Sequence, residues 1–581
     1  MVNPLLLVRP RRRRSTDLRQ NHVAIPSAAP GSDAIFLLLR RMRMPLVVLV
    51  GVFTVSVFGL AAMPGTDADG NPARIGVFEA FYVMSYTATT IGFGEIPYPF
   101  SIQQRLWVTG CIYATVIAWA YAIGMVLALS QDEGFRDAVA AQRFGRKVRH
   151  QNEKFHIIAG YGGAGHRVGN ALDLIRSRFV VIDSDGLRID RLATEQLSSE
   201  VPGVQGDAAA PAVLGLAGLG HKHCVGVLAL AGDDLTNLGV VQAVHLLRPE
   251  LPVIAWARDR ELAEHMREFG ATAVVNPYDR FGAYLAIGLR RPVTLQLMHW
   301  LMSPLGSPVP ETAHAVPDGT WLVCAEGAFK AEIERDLRGA GYDVVHRDPS
   351  DGIGDCRDYV GFVAGADHDT VNLALGAEVR RQSPSIFLCL RQSKAASAPL
   401  YDAFAPDSIF LATELVAREC YSRIVTPRMW KFLEFCGEQD EDWSQAFLDH
   451  LLDRCGPGSP NGWRLSIDEA GAPGLVRWLA HDPMTIGQLL RNPADRESFA
   501  PVVALAHKRG SEVTPTPDED TPLRVGDELL LASPARGYAF LHETLFNEAV
   551  AEYVATGRAV PTTWLWRRLT RTRSRRPAST A

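Results

Sequence analysis

The chain has 581 residues, a formal net charge of −5 and a pI near 6.4. That length exceeds what one core holds and suggests about three or four domains, and the mild acidity carries no nucleic-acid signature. The eight cysteines, Cys111, Cys224, Cys324, Cys356, Cys389, Cys420, Cys436 and Cys455, form no C-x-x-C pair. Neither a zinc knuckle nor a disulfide framework is indicated, and reduced cytosolic thiols are expected.

The first 31 residues open on Leu5-Leu6-Leu7-Val8, then Arg9 and Arg11 to Arg14. The charge follows an apolar run that is too short for a secretory signal, so a disordered basic tail is expected. Ser32-Asp33 could cap a short helix through Arg43. Pro45 to Met63 is an uncharged run of 19 residues and Leu106 to Leu129 one of 24; each is long enough to span a bilayer. Val77 to Thr89, between them, is apolar and aromatic but too short to cross. Arginines crowd before residue 44 (Arg9, Arg11 to Arg14, Arg19, Arg40, Arg41, Arg43), and Arg136, Arg143, Arg146, Lys147, Arg149 and Lys154 follow the second run. The connecting stretch 64–105 has only Arg74 and Arg105. This bias places both termini in the cytoplasm and the connecting loop outside, in a multi-pass protein of the cell (inner) membrane.

Between the two runs stands Thr87-Ala88-Thr89-Thr90-Ile91-Gly92-Phe93-Gly94-Glu95. It resembles the selectivity filter of potassium channels, T-x-T-T-V-G-Y-G-D, with Ile91, Phe93 and Glu95 as departures. A dehydrated potassium ion needs about eight oxygen ligands, which rings of backbone carbonyls from four chains supply. Aiming successive carbonyls at one axis demands alternating right- and left-handed backbone, which Gly92 and Gly94 adopt cheaply. The ion-facing carbonyls are assigned to Thr90, Ile91, Gly92 and Phe93, with the Thr90 hydroxyl at the innermost site and Gly94 closing the filter. Ile91 and Phe93 are expected to point away from the axis and pack behind it. The resemblance implies a pore domain over 32–135, with spans 45–63 and 106–129, a pore helix 77–89 and the filter at 90–94, and a homotetramer, since one chain supplies one loop. No helix with arginine at every third position precedes the pore, so no voltage sensor is expected. Gly110 and Gly124 are equally hinges or close-packing positions, and Asp132 and Glu133 are an acidic inner ring or a solvated helix end.

After a linker at 136–153, residues 155–160 read as a buried strand. Gly160-Tyr161-Gly162-Gly163-Ala164-Gly165 follows and opens a helix, which is G-x-G-x-x-G in its strand–turn–helix setting. A second strand, Phe179 to Ile182, ends in Asp183, 23 residues past Gly160. An acid there binds a ribose diol and repels a 2′-phosphate, while the helix start holds a pyrophosphate. Gly206-Asp207-Ala208 follows, with Asp207 a further candidate contact. NAD(H) or an adenine nucleotide is the expected ligand; an empty Rossmann-like fold is the alternative. The strands Val225 to Leu230, Val253 to Ala257 and Ala273 to Val275 complete a segment that resembles the regulator-of-potassium-conductance (RCK) domain, here 154–315. The resemblance implies a crossover helix, about 279–302, that pairs two domains.

The second half echoes the first. Asn237 matches Asn372, Phe269 matches Phe404 and Pro292 matches Pro427, each 135 residues on. A repeat this long means a duplicated domain, here 316–455. Trp321-Leu322-Val323-Cys324-Ala325-Glu326-Gly327 stands where the glycine loop should be, so this copy is not expected to hold a dinucleotide in the usual crevice. Residues 456–545 resemble the small β-rich C-terminal lobe of the RCK family, and 546–581 read as a basic tail. Glu438 to Asp442 and Asp518 to Asp520 are acid clusters that could ligate calcium but lack the spaced loop pattern.

The fold expected is therefore an α-helical membrane pore followed by two α/β Rossmann-like domains and a β-rich lobe. The function implied is a ligand-gated potassium channel, with potassium as permeant ion and a gating ring of RCK domains that binds a small regulatory ligand. A nonselective cation channel and a membrane-anchored NAD-dependent enzyme are the alternatives. His221 and His223 make no acid–base pair placed for hydride chemistry, so no enzyme is expected.

Overall fold

The computed structural model describes residues 34–67, 71–95, 98–312 and 316–558. The expected tail at 1–31, the cap at Ser32-Asp33 and the part of the basic tail beyond 558 lie outside these residues. The chain divides into two compact units. One is Met1–Gly162 with Asp173–Val253 and Phe269–Ala271; the other is Gly163–Leu172 with Ile254–Glu268 and Thr272–Ala581.

In the first unit, α1 (Ala34–Ala62) runs unbroken through Pro45. The short basic helix and the apolar run expected as separate pieces are one helix, because in an apolar setting the groups a proline frees are satisfied locally. A hairpin of β1 (Pro64–Thr66) and β2 (Pro72–Arg74) leads to α2 (Val77–Ala88) and α3 (Ile102–Gln131). Met42–Ala62 and Ile102–Ala128 are long and apolar enough to cross a membrane. They share a small core of Val57, Leu60, Ala80, Val83, Met84, Tyr86, Phe100 and Cys111. The two helices close on each other at Gly59, where a Cβ would fall 2.0 Å from the Trp107 ring. Leu46, Val50, Phe58, Leu106, Val116 and Ile117 stay exposed, an apolar surface that calls for lipid or a partner chain. One residue, Asp132, separates α3 from α4 (Glu133–Arg149), so the stretch expected as a linker is mostly helix.

A parallel sheet follows. Its elements are β3 (Phe155–Ala159), α5 (Gly163–Leu174), β4 (Arg178–Asp183), α6 (Gly186–Leu192), β5 (Gly203–Gln205), α7 (Pro211–Leu216), β6 (Cys224–Ala229) and α8 (Asp234–Leu247). In the first unit the strands lie in the order β5-β4-β3-β6, all parallel. Ile157, Ile158, Val180, Val181 and Ile182 are fully buried, which is why these strands are continuous apolar runs without alternation. The order reverses between β3 and β6, and ligands of such sheets bind beyond the strand ends at that point.

The second unit takes in β7 (Val253–Trp256), α9 (Arg260–Glu268) and β8 (Ala273–Val275), the two strands parallel. The expected single crossover helix at 279–302 is two helices, α10 (Pro277–Arg290) and α11 (Pro292–Met302). Pro292 cannot donate to the preceding turn and forces Arg291 out of helical geometry, to φ −138 and ψ 66. The second α/β domain comprises β9 (Thr320–Ala325), α12 (Gly327–Gly339), β10 (Asp343–Arg347), β11 (Gly361–Gly365), α13 (Asp369–Gln382), β12 (Phe387–Gln392), α14 (Ala398–Phe404) and β13 (Ser408–Leu411). Its sheet has the order β10-β9-β11-β12-β13, all parallel. Then come α15 (Ala412–Val425), α16 (Pro427–Glu438) and α17 (Glu441–Cys455). The break before Pro427 repeats the earlier one, with Thr426 at φ −130 and ψ 56. Leu297, Met298, Trp300 and Leu301 of α11 share a core with Met429, Phe432, Leu433 and Cys436 of α16. The two crossover hairpins thus pack together within one chain.

The last part holds β14 (Asn461–Ser466), α18 (Pro473–Leu479), α19 (Ile486–Leu489), β15 (Arg491–Asn492), β16 (Asp495–Phe499), β17 (Val503–Arg509), β18 (Glu512–Pro515), β19 (Glu528–Ser533), α20 (Gly537–Phe546) and α21 (Glu548–Thr556). Four of its strands form an antiparallel sheet, β14-β19-β17-β18. Residues 548–556, read from sequence as tail, are a helix capped by Asn547, whose Ala551 and Ala555 join the core of Leu465, Leu529 and Leu531. All eight cysteines are buried and free of disulfides.

Candidate functional site

Two loops hold the candidate site residues, and each is built from its backbone. The first leaves the C-terminus of α2. Thr90, Gly92 and Gly94 have φ of +62, +67 and +95, so left-handed residues stand at every second position. Among the described residues, and chain neighbours aside, no atom lies within 4 Å of a Cβ built on Gly92 or Gly94; glycine is required there by φ and not by space. Thr90, which has a Cβ, bears about 1–2 kcal/mol of strain in that region, a cost that functional backbone typically carries.

Tyr86 holds this loop at three points. Its carbonyl accepts from the N–H groups of Ile91 and Gly92 at 2.9 and 3.3 Å. Its hydroxyl donates to the Gly94 carbonyl. Its ring meets Phe93 edge-on, with centroids 5.4 Å apart. The Gly94 carbonyl is thereby engaged by the scaffold. Ile91 is 59% exposed in the single chain. Beyond the loop, Glu95 accepts from Arg105 at 2.8 and 3.0 Å and from the Phe100 N–H at 2.9 Å. Neither Tyr86 nor the Glu95–Arg105 pair stood out in the sequence; only their spacing about the glycines could have marked them.

The second loop follows β3. Gly160, at φ +100, would place a Cβ 2.4 Å from the Ala231 backbone nitrogen, so only glycine lets β3 and β6 end this close. Asp183, at the end of β4, is 3% exposed. Its carboxylate accepts from the Tyr161 N–H at 2.6 Å and the Asp185 N–H at 2.8 Å, and it faces Arg188 at 3.3 Å. Gly162 caps α5 and lies against the Arg188 guanidinium, 3.4 Å from where its Cβ would be. Gly163 opens α5, with Ala164 and Gly165 buried behind it. A Cβ on Gly163 would sit 3.0 Å from Thr413. Asp207 turns into its own loop, where its carboxylate accepts from the Ala209 N–H at 2.9 Å; this is a turn-forming role. Burial and the neighbouring Glu195 carboxylate push the Tyr161 phenol up.

In the second α/β domain the corresponding loop is exposed at Glu326 and Gly327 and is tied by the protein's own side chains. Glu326 accepts from the Asp367 N–H at 3.4 Å, and Arg391 pairs with Asp367 at 2.8 Å. The acid clusters serve as caps and pairs. Asp440 caps α17, Glu441 accepts from Val293 and Thr294 at the start of α11, and Glu519 pairs with Arg454. Among the described residues no group of three or more His, Cys, Asp or Glu side chains is gathered to hold a metal.

Comparison with known proteins locates the second loop in a family. Residues 156–277 match the model of the TrkA-N domain. The chain is 25% identical over 228 residues to potassium channel protein 1 of Methanocaldococcus jannaschii, across 39% of this chain and 66% of that one. It is 24% identical over 225 residues to an uncharacterised protein of Methanothermus fervidus, across 39% of this chain and 34% of that one. It therefore spans between a third and two thirds of these relatives. A solved structure described as the GsuK channel bound to NAD aligns over 88% of this chain and 99% of its own, at 15% identity and a TM-score of 0.41. Residues 156–277 thus match the TrkA-N domain, and over 228 residues the chain is similar to a protein described as a potassium channel.

Proposed function

We propose that this protein is the pore-forming subunit of a potassium channel whose opening is set by a nucleotide bound to its TrkA-N domain. The observation that carries the reading is the left-handed backbone at Thr90, Gly92 and Gly94, in a loop between two helices long and apolar enough to span a membrane. Four copies around an axis would stack the carbonyls of Thr90, Ile91, Gly92 and Phe93 into rings that replace the hydration shell of potassium. α2 acts as the pore helix, its C-terminal dipole favouring a cation near the membrane centre. The exposed apolar faces of α1 and α3 meet lipid and neighbouring subunits, and both termini are cytoplasmic. Each chain brings two RCK-like domains, so a tetramer carries a ring of eight. The near-continuous passage from α3 into α4 supports a mechanical link between the ring and the second span. A ligand that binds one ring conformation better shifts the pore by that difference in affinity.

For the nucleotide, Gly160 and Asp183 supply the close backbone approach and the buried carboxylate that a ribose diol requires. The test is single-channel recording from purified full-length protein in planar bilayers, with potassium on one side and sodium on the other. NAD, NADH, ADP and calcium are added in turn to the cytosolic face. A potassium-selective current that responds to a nucleotide and loses the response in Asp183→Ala supports both parts. A current indifferent to every addition keeps the pore and removes the nucleotide. No current from protein that assembles as four chains overturns the pore.

A further inference from the structure

The carboxylate of Asp183 is already in use. A carboxylate has about four acceptor positions. The Tyr161 N–H takes one on Oδ2 and the Asp185 N–H one on Oδ1. The Arg188 guanidinium spans what is left, its terminal nitrogen 3.3 Å from Oδ2 and 3.5 Å from Oδ1. A ribose diol that donates two hydroxyls to Asp183 must therefore displace Arg188. The arginine's side chain is 45% exposed, against 3% for Asp183, so solvent lies on its outer side. The arginine cannot go far, since it starts on α6, a short helix capped by Asp185, which itself faces Arg188 at 3.3 Å. The same guanidinium already lies against Gly162, within 3.4 Å of where that residue's Cβ would stand.

We propose that Arg188 is the residue that makes this site select phosphorylated adenosines over adenosine. With no ligand it covers the ribose acceptor. When a nucleotide enters, the diol takes over Asp183, and the released guanidinium, beside the glycine loop, finds the 5′-phosphate as its new partner. Adenosine displaces Arg188 equally but offers it no phosphate, so it loses the Asp183 pair and keeps only the one with Asp185. A charge-assisted hydrogen bond between guanidinium and phosphate is about twice as strong as a neutral one, which sets the scale of the discrimination. The inference rests on the nucleotide reading of the TrkA-N domain.

Isothermal titration of the purified full-length protein with adenosine, AMP, ADP, NAD and NADP separates the two. The parent is expected to bind AMP at least about tenfold more tightly than adenosine. In Arg188→Ala that ratio falls to about threefold or less, because AMP weakens while adenosine holds or tightens; Arg188→Lys keeps part of it. An AMP-to-adenosine ratio that survives Arg188→Ala overturns the proposal while leaving the nucleotide site standing. Loss confined to NADP would move the contact to a 2′-phosphate and likewise overturn it. If the parent binds none of the five, the nucleotide reading fails and this one with it. Unchanged thermal midpoints in both variants exclude misfolding as the cause of an altered ratio.

Discussion

The two α/β domains share one plan and differ at one loop. Each ties its central strand to the following helix with a buried asparagine. Asn237 accepts from the Ala231 N–H at 2.8 Å and donates to the Ala231 carbonyl at 2.9 Å; Asn372 does the same with Ala366 at the same distances. Each ends in a helix pair broken before proline, at Pro292 and Pro427. They diverge at one loop. In the first domain three residues, Gly160 to Gly162, separate β3 from α5, and a buried acid closes the next strand. In the second, Glu326 alone separates β9 from α12. Asp348, just past β10, is spent capping a turn through the Ser350 N–H at 2.9 Å. What was duplicated and kept is what folds the sheet. What differs is the length of the loop and the acid that closes the next strand.

The sharpest way to break this comparison is glycine against glycine. Gly160→Ala drives a Cβ into the Ala231 backbone at positive φ; a loss of about 3 kcal/mol or more is expected, with nucleotide binding abolished. Gly327→Ala, at φ +61 with no atom within 4 Å, carries only the backbone strain of about 1–2 kcal/mol. Thermal unfolding of the full-length protein with and without ADP reads both effects, and equal losses would sink the distinction.

The shared anchor makes the opposite claim. Asn237→Ala and Asn372→Ala each strip partners from a backbone N–H and carbonyl, at about 2 kcal/mol apiece. Similar falls in unfolding midpoint are expected from the two; a silent Asn372→Ala would argue against a working duplication.

Acidity should separate the domains in opposite directions. Burial lowers His156, on β3, to about 4. The folded state holds it neutral, so its stability is complete above the ordinary histidine value and drains away as pH falls from about 6.5 towards 4. Burial, with Asp279 and Glu332 nearby, raises Asp336 of α12 to about 7. That stability is complete below about 4 and is lost as pH rises through 7. Arg260 pulls the other way, Arg335 also pairs with Asp336 at 2.9 Å, and both limit the effect. Asp336→Asn should therefore gain about 1 kcal/mol on the parent at pH 8 and little at pH 5, whereas His156→Phe should flatten the acid side. Unfolding midpoints measured at both pH values check the signs.

The smallest expected effect is none. Glu326→Gln and Asp367→Asn, at the corresponding loop of the second domain, should leave ADP affinity within about twofold of the parent. A tenfold change in equilibrium titration would show that the second domain also takes the nucleotide.

Sequence alone determined the elements whose cause is local. Two uncharged runs of membrane length, the glycines at 92, 94 and 160, the acid at Asp183 and the 135-residue repeat were all legible, because hydropathy, φ preference and spacing are properties of neighbouring residues. The breaks at Pro292 and Pro427 were equally local, and the expectation of one continuous helix over 279–302 passed over the first. Tertiary structure decided the rest. Tyr86 reaches Gly94 across eight positions, Arg105 reaches Glu95 across ten, and α21 returns its alanines to the lobe core. Arg188 covers Asp183 because α6 turns back over the strand end, and Asp207 turns away into its own loop. Those outcomes depend on which side chains the folded backbone brings within hydrogen-bond distance, and a pattern of neighbours along the chain does not encode that directly.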